Sequence, residues 1–593
     1  NNMEKYVKFL KIFIILFFII LSIYFIITYT NKHEYYLNRL IFKTSRIVSV
    51  DSPLRGQIFD KNGILLVGNK KIYNLAYHLK NKENLDDVVN SALKIFPELD
   101  SAQVYESLNK GYLYEDKIIK KNLTDEEVEK VLSSSTKDFF IKETYERFYP
   151  YGLTLKNIFG SVSKISKENK SYYLENGYSI WDSVGISGLE KEYEEYLKGV
   201  KAKYKVNADN TLSLISPSKN GSDLYLSIDI NLVNKVNDII KEELINAKKK
   251  PNTEYLNDTY VIISKHKTGE IISINGQRYL NDDYFTDISF NNITSSFTMG
   301  SVVKGATISV GYKYNLIDYN KKVLDGCVKL ANLTEKCSFQ RLGYLDDIKA
   351  LEMSSNYYQF LIAISLAGKK YTPNMKLEVS NNEFDIYRNM LASYGLGTIT
   401  GIDLPNEKIG LIGKKISPDL LLNLAIGQYD TYTPIELLNY INTLASKGEK
   451  RSPSLVYQIK NYGNVIYQNN YEIKENVELS KEYYDRIFKG FYNVMNYGTG
   501  KGYMNYNLNP AGKTGTSESF LDTDNDGKID TKTLSLTMAG FFPVENPEYS
   551  LVVVSPNASH NNSKKEYIYY ITNRVSRKIT DYFNSLNVKS LEK

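Results

Sequence analysis

A long apolar run lies near the start of the chain. Residues 12–30 carry no charged side chain, and Lys5, Lys8 and Lys11 precede the run. A helix of this length spans about 28 Å, which is about the thickness of one bilayer core. We therefore expect residues 12–30 to cross a membrane. Lysines on the N-terminal side predict that residues 1–11 form a short cytoplasmic tail and that the rest of the chain lies outside the cell.

The next part, residues 31–222, alternates between strand and helix patterns. The stretch Arg55 to Gly63 reads strand, turn, strand, with Asn62-Gly63 as the turn. Leu85, Val88, Val89, Ala92, Ile95 and Phe96 have helical spacing. Thr124 and Glu127 form a capping box that predicts a helix start, and residues 199–222 read as a linker. This pattern predicts an α+β domain.

The pattern changes at residue 223, where a second domain is expected to begin and to run to residue 585. Asp229 precedes a long amphipathic helix, and residues 261–264 and 271–274 predict a hairpin around Lys267-Thr268-Gly269. Residues 534–542 and 551–554 are apolar or alternating runs typical of a central sheet. Residues 586–593 read as a short tail.

Composition narrows the class of protein. The chain is 42% hydrophobic and 24% charged, as in ordinary folded proteins. Its net charge is only +6, and the lysines are interleaved with acids, so a nucleic-acid partner is not expected. Cys327 and Cys337 have no histidine nearby in the sequence, so a local zinc site is excluded. Whether the two cysteines pair stays open.

The first candidate for chemistry is Ser301 with Lys304. A serine hydroxyl needs a neighbouring base to act as a nucleophile. If Gly300 turns the chain into a helix, Ser301 and Lys304 share one face of it. The helix dipole would favour an alkoxide at Ser301 and an uncharged Lys304. The same S-x-x-K spacing also occurs at Ser91, Ser161 and Ser264. The motif is therefore weak by itself.

Two later motifs strengthen this candidate. Ser354 and Asn356 are two positions apart, so in an extended turn both side chains would face a cleft. Residues 513–516 read Lys-Thr-Gly-Thr. On a strand, Lys513 and Gly515 point to one face and Thr514 and Thr516 to the other. Such a strand edge offers backbone N–H groups to an oxyanion and to a peptide-like ligand.

A second Lys-Thr-Gly occurs at residues 267–269. It precedes Ser301 in the chain and falls on a predicted hairpin turn. We therefore assign it a structural role.

The order S-x-x-K, S-x-N, K-T-G resembles the penicillin-binding proteins and serine β-lactamases. Other stretches narrow the resemblance to class B penicillin-binding proteins, and the resemblance extends over nearly all of residues 1–560. These are R-G-Q-I-F-D-K-N-G at 55–63, R-F-Y-P-Y-G at 147–152, G-L-E at 188–190, Y-G-L-G at 394–397, G-I-D-L-P at 401–405, I-G-Q at 426–428 and T-P at 433–434.

The chain departs from the family pattern at a few positions. Lys61 replaces an arginine, Met299 a proline, Val302-Val303 a Thr-Phe pair, and Tyr429 a glycine. These side chains shape the local backbone and carry no chemistry, so the resemblance stands.

The resemblance implies a multidomain α+β protein. It would have one N-terminal transmembrane helix, an extended α+β pedestal and a β-lactamase-like α/β transpeptidase domain. The transpeptidase domain would have a central antiparallel sheet with helices on both faces.

The implied activity is D,D-transpeptidation of peptidoglycan stem peptides. Ser301 would attack the D-Ala-D-Ala carbonyl with Lys304 as base, Ser354 would relay a proton, and Asn356 would bind a substrate amide. The N–H groups of Ser301 and Thr516 would hold the oxyanion. Lys513, Thr514 and Thr516 would bind the terminal carboxylate beside Gly515. β-Lactams would acylate the same serine, and the chemistry would need no cofactor.

The implied partners are stem peptides, the membrane and a multi-span glycosyltransferase that makes the glycan. Three alternatives remain: a β-lactam-hydrolysing or sensing protein, a D,D-carboxypeptidase, and a catalytically weak scaffold of the cell-wall complex. The sequence does not distinguish elongation, division and sporulation.

An acidic loop after the K-T-G strand resembles a calcium-binding loop. Its acids and its glycine fall at the positions that such loops use. The candidate ligands are Asp522, Asp524, Asp526, the carbonyl of Lys528, and Asp530. Thr533 stands where a bidentate glutamate is usual, so weak binding is expected. An ordinary acidic turn is the alternative, and a structural Ca²⁺ stays an open prediction.

Overall fold

The structure is a computed structural model. It describes residues 6–26, 47–50, 53–79, 84–109, 116–134, 138–166, 168–178, 182–206, 212–281, 284–524, 526–560 and 567–591. The predictions for residues 1–5 and 27–30 lie outside these ranges.

The first helix, α1 (Tyr6–Ile26), contains most of the predicted membrane span. Its mean hydropathy reaches 2.8, and none of its most apolar window is buried against other parts of the protein. It is long and apolar enough to cross a membrane. It begins before the predicted span because Lys8 and Lys11 are also good helix formers.

The N-terminal domain mixes short helices with strands, as its pattern predicts. Its elements are β1 (Ile47–Val50), β2 (Ile58–Phe59), β3 (Leu65–His78), α2 (Leu85–Ile95), α3 (Ser101–Asn109), β4 (Asp116–Lys120), α4 (Asp125–Ser133), β5 (Phe139–Phe148), α5 (Lys156–Phe159), β6 (Val162–Lys164), α6 (Lys170–Glu175), β7 (Ser183–Gly185), α7 (Gly188–Glu192), α8 (Glu194–Leu197), β8 (Ala202–Val206) and β9 (Leu212–Ser216).

Most local predictions in this domain are confirmed, and one is wrong. The turn at Gly63 joins β2 to β3, and Thr124 with Glu127 forms the capping box of α4. The predicted linker at 199–222 instead holds the antiparallel pair β8–β9, which joins β1 in a three-stranded sheet. Residues 202–206 alternate apolar side chains with lysines, which is a strand pattern, but the turn-forming Gly, Asn, Ser and Pro residues around them favour a linker. The pairing with β1 completes the sheet.

The C-terminal domain carries the longer helices and strands. Its elements are β10 (Asp223–Leu226), α9 (Ile230–Lys248), β11 (Asp258–Lys265), β12 (Glu270–Asn281), β13 (Tyr284–Asp287), α10 (Lys304–Lys313), β14 (Val323–Leu324), β15 (Cys327–Val328), β16 (Lys336–Cys337), β17 (Tyr344–Leu345), α11 (Asp347–Glu352), α12 (Asn356–Leu366), α13 (Asn381–Ser393), α14 (Pro418–Ala425), α15 (Pro434–Ala445), β18 (Glu449–Arg451), β19 (Val456–Asn461), β20 (Asn464–Gln468), β21 (Ile473–Asn476), α16 (Lys481–Asn496), β22 (Ala511–Leu521), β23 (Thr531–Phe542), β24 (Tyr549–His560) and α17 (Ile571–Leu591).

The described part of this domain also has 3-10 helices at Ser289–Ile293, Gly300–Val303 and Tyr506–Leu508. The last helix, α17, corrects one boundary. Residues 586–591 continue this helix, where the sequence indicated a tail.

A six-stranded antiparallel sheet forms the centre of the C-terminal domain, in the order β13-β12-β11-β24-β23-β22. Alternate residues of its central strands face two different cores. Val261, Ile263 and Val553 pack with α9 and α17, whereas Tyr260, Ile262 and Val552 pack with α10 and α15. Each fully buried aliphatic side chain of this kind contributes roughly 1.5–3 kcal/mol. The predicted sheet with helices on both faces is confirmed.

A second sheet connects the two domains. It runs β20-β19-β10-β2-β3-β4, with β5 paired to β3. The buried side chain of Asp60 reinforces the junction, because its Oδ2 accepts the N–H of Ile230 at the start of α9. The carboxylate of Asp403 also lies at the junction and accepts the hydroxyl of Tyr193 at 2.8 Å.

Three family-like stretches of the N-terminal domain meet at one buried charge network. Arg55 donates to Glu190 and Glu194 at 2.5 Å each, and Arg147 donates to Glu190 at 2.7 Å. The Glu190 side chain is fully buried. Removing one partner from such a network leaves an unpaired buried charge, which is strongly destabilising. The network therefore explains why these three stretches occur together.

Candidate active site

Ser301 lies in a tight turn that enters a buried helix. Gly300 has φ of +63°, and the 3-10 helix Gly300–Val303 leads directly into α10. The N–H of Gly300 donates to the carbonyl of Gly427 at 2.9 Å. Ser301 itself is half-buried, whereas Val302 and Val303 are fully buried. The predicted glycine turn into a helix is present.

Strand β22 packs closely against this turn, and a glycine on each side makes the close approach possible. A Cβ on Gly515 would lie 2.3 Å from the carbonyl oxygen of Met299, and a Cβ on Gly300 would lie 2.6 Å from that of Thr516. Neither approach leaves space for a side chain, and Gly300 also needs a positive φ. The glycine of the K-T-G motif therefore brings β22 against the backbone that carries Ser301.

Lys304 lies at the centre of a ring of oxygen atoms. Its Nζ contacts the Asn356 Oδ1 at 2.7 Å, the Ser354 carbonyl at 2.9 Å, the Ser355 carbonyl at 3.3 Å and the Ser354 Oγ at 3.4 Å. The side chain is fully buried. The first and second motifs therefore meet at this amine.

Lys513 reaches the same hydroxyl from β22. Its Nζ donates to the Ser354 Oγ at 2.8 Å and to the Thr514 carbonyl at 2.9 Å. Lys513 and Gly515 are buried, Thr514 is half-buried and Thr516 is exposed, which matches the predicted alternation of faces. The Thr514 hydroxyl lies 3.4 Å from that of Thr499.

Burial shifts the titration of both lysines. It lowers the pKa of Lys304 well below the usual value, and the charge of Lys513 lowers that pKa further, whereas Asp325 raises it. Burial also lowers the pKa of Lys513, to about 7. A buried ammonium loses its hydration, so the neutral amine is favoured. A neutral amine at Lys304 can accept a proton.

The Ser354-Ser355-Asn356 stretch differs from the predicted extended turn. Ser354 has a left-handed backbone, with φ of +57°, and Asn356 is the first residue of α12. The Ser355 hydroxyl caps that helix and accepts from the N–H of Tyr358 at 3.0 Å. Cap formation turns the chain, and the two side chains still converge on Lys304.

Asp325 and Ser338 hold this stretch in place by hydrogen bonds, and the sequence analysis identified neither residue. Asp325 accepts the hydroxyls of Ser355 at 2.7 Å and Ser338 at 2.9 Å. Ser338 in turn accepts the N–H of Asn356 at 3.2 Å. The chain has many aspartates and serines, and neither Asp325 nor Ser338 belongs to a recognisable motif. Their role is visible only in the folded chain, which brings them together.

The two cysteines form a disulfide beside this support. Cys327 and Cys337 are directly opposite each other on the paired strands β15 and β16. The carbonyl of Cys337 accepts the side-chain amide of Asn356 at 3.4 Å. The question of pairing that the sequence left open is thereby answered.

The Lys-Thr-Gly at 267–269 forms the turn between β11 and β12, and Gly269 has φ of +76°. Its Lys267 donates to Asn546, in a different part of the domain from Ser301. The structural role expected for this triplet agrees with that placement.

The acidic loop lies between β22 and β23. The carboxylates of Asp522, Asp524 and Asp530 lie within 4.8 Å of one another. Asp526 instead accepts the N–H of Lys528 at 2.7 Å. These three acids are oxygen donors that suit Ca²⁺, although Asp522 also accepts the N–H of Gly527 at 2.7 Å.

Comparisons with known proteins agree with this geometry. Residues 259–580 match the penicillin binding protein transpeptidase domain, and residues 50–226 match the penicillin-binding protein dimerisation domain. The chain is 32% identical to penicillin-binding protein 2A of Bacillus subtilis (strain 168) over 586 residues, which is 95% of this chain and 80% of that protein.

Solved structures show the same architecture. Penicillin-binding protein 2B from Streptococcus pneumoniae (strain R6) has a TM-score of 0.74 and 25% identity, covering 91% of this chain and 99% of that chain. The complex of penicillin-binding protein PBP2 with MreC from Helicobacter pylori shares the fold, with a TM-score of 0.72, 19% identity and the same coverage. By its two matched domains and its relatives, this chain belongs to the class B penicillin-binding proteins.

Proposed function

We propose that this protein is a peptidoglycan D,D-transpeptidase that works through an acyl-enzyme on Ser301. The observation that carries the proposal is the meeting of Lys304, Ser354, Asn356 and Lys513 beside the Ser301 turn. Within the family, this arrangement suits acyl transfer from a D-Ala-D-Ala stem peptide.

In the acylation step, the Ser301 Oγ attacks the carbonyl carbon of the penultimate D-Ala, and its proton passes to the Lys304 amine. The low pKa of Lys304 supports this role, because only a neutral amine can take the proton. The backbone N–H groups of Ser301 and Thr516 hold the oxyanion. Close approach of Thr516 to Gly300 supports that pairing.

In the second half of acylation, the peptide bond breaks and the terminal D-Ala leaves as an amine. The proton that this amine gains comes from Lys304 through the hydroxyl of Ser354, which contacts both lysines. The Lys513 ammonium with Thr514 and Thr516 binds the substrate carboxylate until D-Ala departs. An amine from a neighbouring stem peptide then attacks the ester and forms the cross-link. The neutral Lys304 takes the proton that this amine loses and returns it to the departing Ser301 oxygen, which restores the hydroxyl.

β-Lactams would acylate Ser301 in the same way, but the second step, attack on the acyl-enzyme, would not follow. Attack by Ser301 opens the lactam ring, so the leaving amine stays attached and continues to occupy the site. We therefore expect a stable covalent adduct at Ser301.

We further propose a single-pass location in the cell membrane. Helix α1 would be the anchor, and the lysines near its start favour a cytoplasmic N-terminus with both domains outside. The disulfide supports an extracellular position for the C-terminal domain, since disulfides persist in oxidising surroundings.

The proposed membrane location and one relative both indicate that this chain assembles with other proteins. We propose a multi-span membrane glycosyltransferase as the source of glycan strands. The Helicobacter pylori relative was solved in complex with MreC, which supports assembly of the present chain with other proteins.

We keep a structural Ca²⁺ at the acidic loop as a proposal. Asp522, Asp524 and Asp530 would hold the ion, with Asp526 and the Lys528 carbonyl as further donors. The ion would reduce repulsion among the carboxylates and stiffen the β22–β23 hairpin, and it would take no part in the chemistry.

The test of the function uses the full-length protein in detergent with nascent glycan strands that carry pentapeptides. A transpeptidase yields cross-linked stem dimers and free D-Ala, and benzylpenicillin stops both. A carboxypeptidase gives D-Ala and uncross-linked tetrapeptides, a scaffold gives neither product, and a β-lactamase consumes the benzylpenicillin. Any one of these three outcomes would refute the proposal.

A further inference from the structure

Strand β22 is an edge strand, and the side that faces away from β23 carries the backbone groups of alternate residues. Three contacts identify these residues. The carbonyls of Thr514, Thr516 and Glu518 accept from Lys513, Gln428 and Thr298 respectively, and all three donors are side chains. The N–H and C=O of one residue in a strand point to the same side. The N–H of Thr516 therefore faces this edge together with its carbonyl.

The side-chain amide of Gln428 occupies the edge beside Thr516. Its Nε2 donates to the carbonyl of Thr516 at 3.3 Å, and its Oε1 accepts the N–H of Glu518 at 3.1 Å. A primary amide presents one donor and one acceptor side by side, as a peptide group in a paired strand does. Gln428 thus contacts β22 as a short piece of neighbouring strand would.

The backbone holds Gln428 in this position. Gly427 has φ of +74°, and its carbonyl accepts the N–H of Gly300 at 2.9 Å. A Cβ on Gly427 would lie 2.3 Å from the Gly300 carbonyl oxygen. The N–H of Gln428 donates to the backbone carbonyl of Asn423 at 2.9 Å. The residue is therefore tied both to the Ser301 turn and to the end of α14.

We propose that Gln428 is a specificity-determining residue that competes with the acyl donor for the carbonyl of Thr516. The inference rests on the proposed function, in which the donor lies extended along β22. A donor whose oxyanion sits on the Thr516 N–H brings its preceding amide N–H to the Thr516 carbonyl, as in strand pairing. Gln428 occupies the strand-pairing position along this edge, through its contacts with the Thr516 carbonyl and the Glu518 N–H, so a donor that pairs with β22 competes with it for that position.

The competition separates two kinds of acylating ligand. A ligand with an acylamino group beside its reactive carbonyl needs the Thr516 carbonyl, so Gln428 opposes its binding. A ligand with no such N–H gains nothing there, so Gln428 leaves its rate unchanged. The ratio of the two acylation rate constants isolates this contact, because general damage to the site changes both constants together.

The test measures second-order acylation constants of the full-length protein in detergent. The two probes are benzylpenicillin, which has an acylamino group, and sulbactam, which has only hydrogen in its place. Gln428→Met keeps the length of the side chain and removes both hydrogen bonds. One intramolecular hydrogen bond changes an equilibrium or rate constant about two- to tenfold. We therefore expect the benzylpenicillin constant to rise by about that factor and the sulbactam constant to stay the same.

Gln428→Glu is the second variant. A carboxylate still accepts the Glu518 N–H and cannot donate to Thr516, so we expect the same rise in the ratio of the two constants. An unchanged ratio in Gln428→Met, or a ratio that rises in Met and not in Glu, would overturn the proposal. Absence of any adduct with either probe on the wild type would instead refute the proposed function.

Discussion

The Oγ of Ser354 lies 2.8 Å from the Nζ of Lys513. The same hydroxyl contacts the amine of the catalytic base candidate, so one serine joins two buried lysines. Two ammonium groups this close repel each other, and each lysine therefore influences the charge of the other. Such a pair lets one amine act as a base while the other stays charged for binding.

The first prediction concerns the pH dependence set by Lys513. Burial lowers its pKa to about 7, so the charged form is lost as pH rises through that value. We expect the acylation constant of the wild type with benzylpenicillin to fall above about pH 7. In Lys513→Arg the guanidinium keeps its proton, so this fall disappears even if the overall rate is lower. Pre-steady-state acylation across pH measures both profiles, and identical descending limbs would contradict the assignment.

The second prediction concerns Asp325. Its negative charge raises the pKa of Lys304 relative to what burial and Lys513 alone would give. Asp325→Asn removes that charge, so Lys304 should lose its proton more easily. We expect the ascending limb of the acylation profile to move to lower pH.

The matched control is Asp347→Asn, which also removes a buried carboxylate but one that pairs with Arg486. This variant should lower the stability of the fold without moving the ascending limb of the pH profile for acylation. If both variants shift the profile equally, the effect of Asp325 is structural only.

The third prediction concerns the junction between the domains. The carboxylate of Asp403 accepts the Tyr193 hydroxyl and the N–H groups of Leu455 and Val456. Tyr193→Phe removes one of these three donors, at a cost of about 1–3 kcal/mol. We expect a lower melting temperature with an unchanged acylation constant, because the contact is remote from Ser301. Tyr196→Phe, at a tyrosine that is 39% exposed, should leave both values unchanged.

The sequence predicts much of this structure where a local signal exists. The glycine turn at Gly300 and the alternation along β22 each depend on near neighbours in the chain, and each is present. So does the cap of α9, where the Asp229 side chain accepts the N–H groups of Asn231 and Leu232. The β8–β9 hairpin was missed because its strands are stabilised by β1, far away in sequence. Gln428 appeared only as part of a family-like I-G-Q stretch, since its contact with β22 requires the folded chain.

The fourth prediction concerns the acidic loop. If Asp522, Asp524 and Asp530 bind Ca²⁺, calcium at one hundred times its Kd stabilises the protein by about 2.7 kcal/mol. We expect the melting temperature to be higher with calcium than with chelator, and the difference to vanish in Asp524→Ala. Magnesium at the same concentration is the control for ionic strength. Equal melting temperatures in calcium and chelator would leave the loop as an ordinary turn.

The central claim is that Ser301 is the nucleophile. The most direct measurement is the intact mass of the full-length protein after incubation with benzylpenicillin, for the wild type and for Ser301→Ala. We predict that the wild type gains the mass of one penicillin and that the variant gains none, while both melt at the same temperature. An equal mass gain in the variant would contradict the account, because another residue would then carry the acyl group.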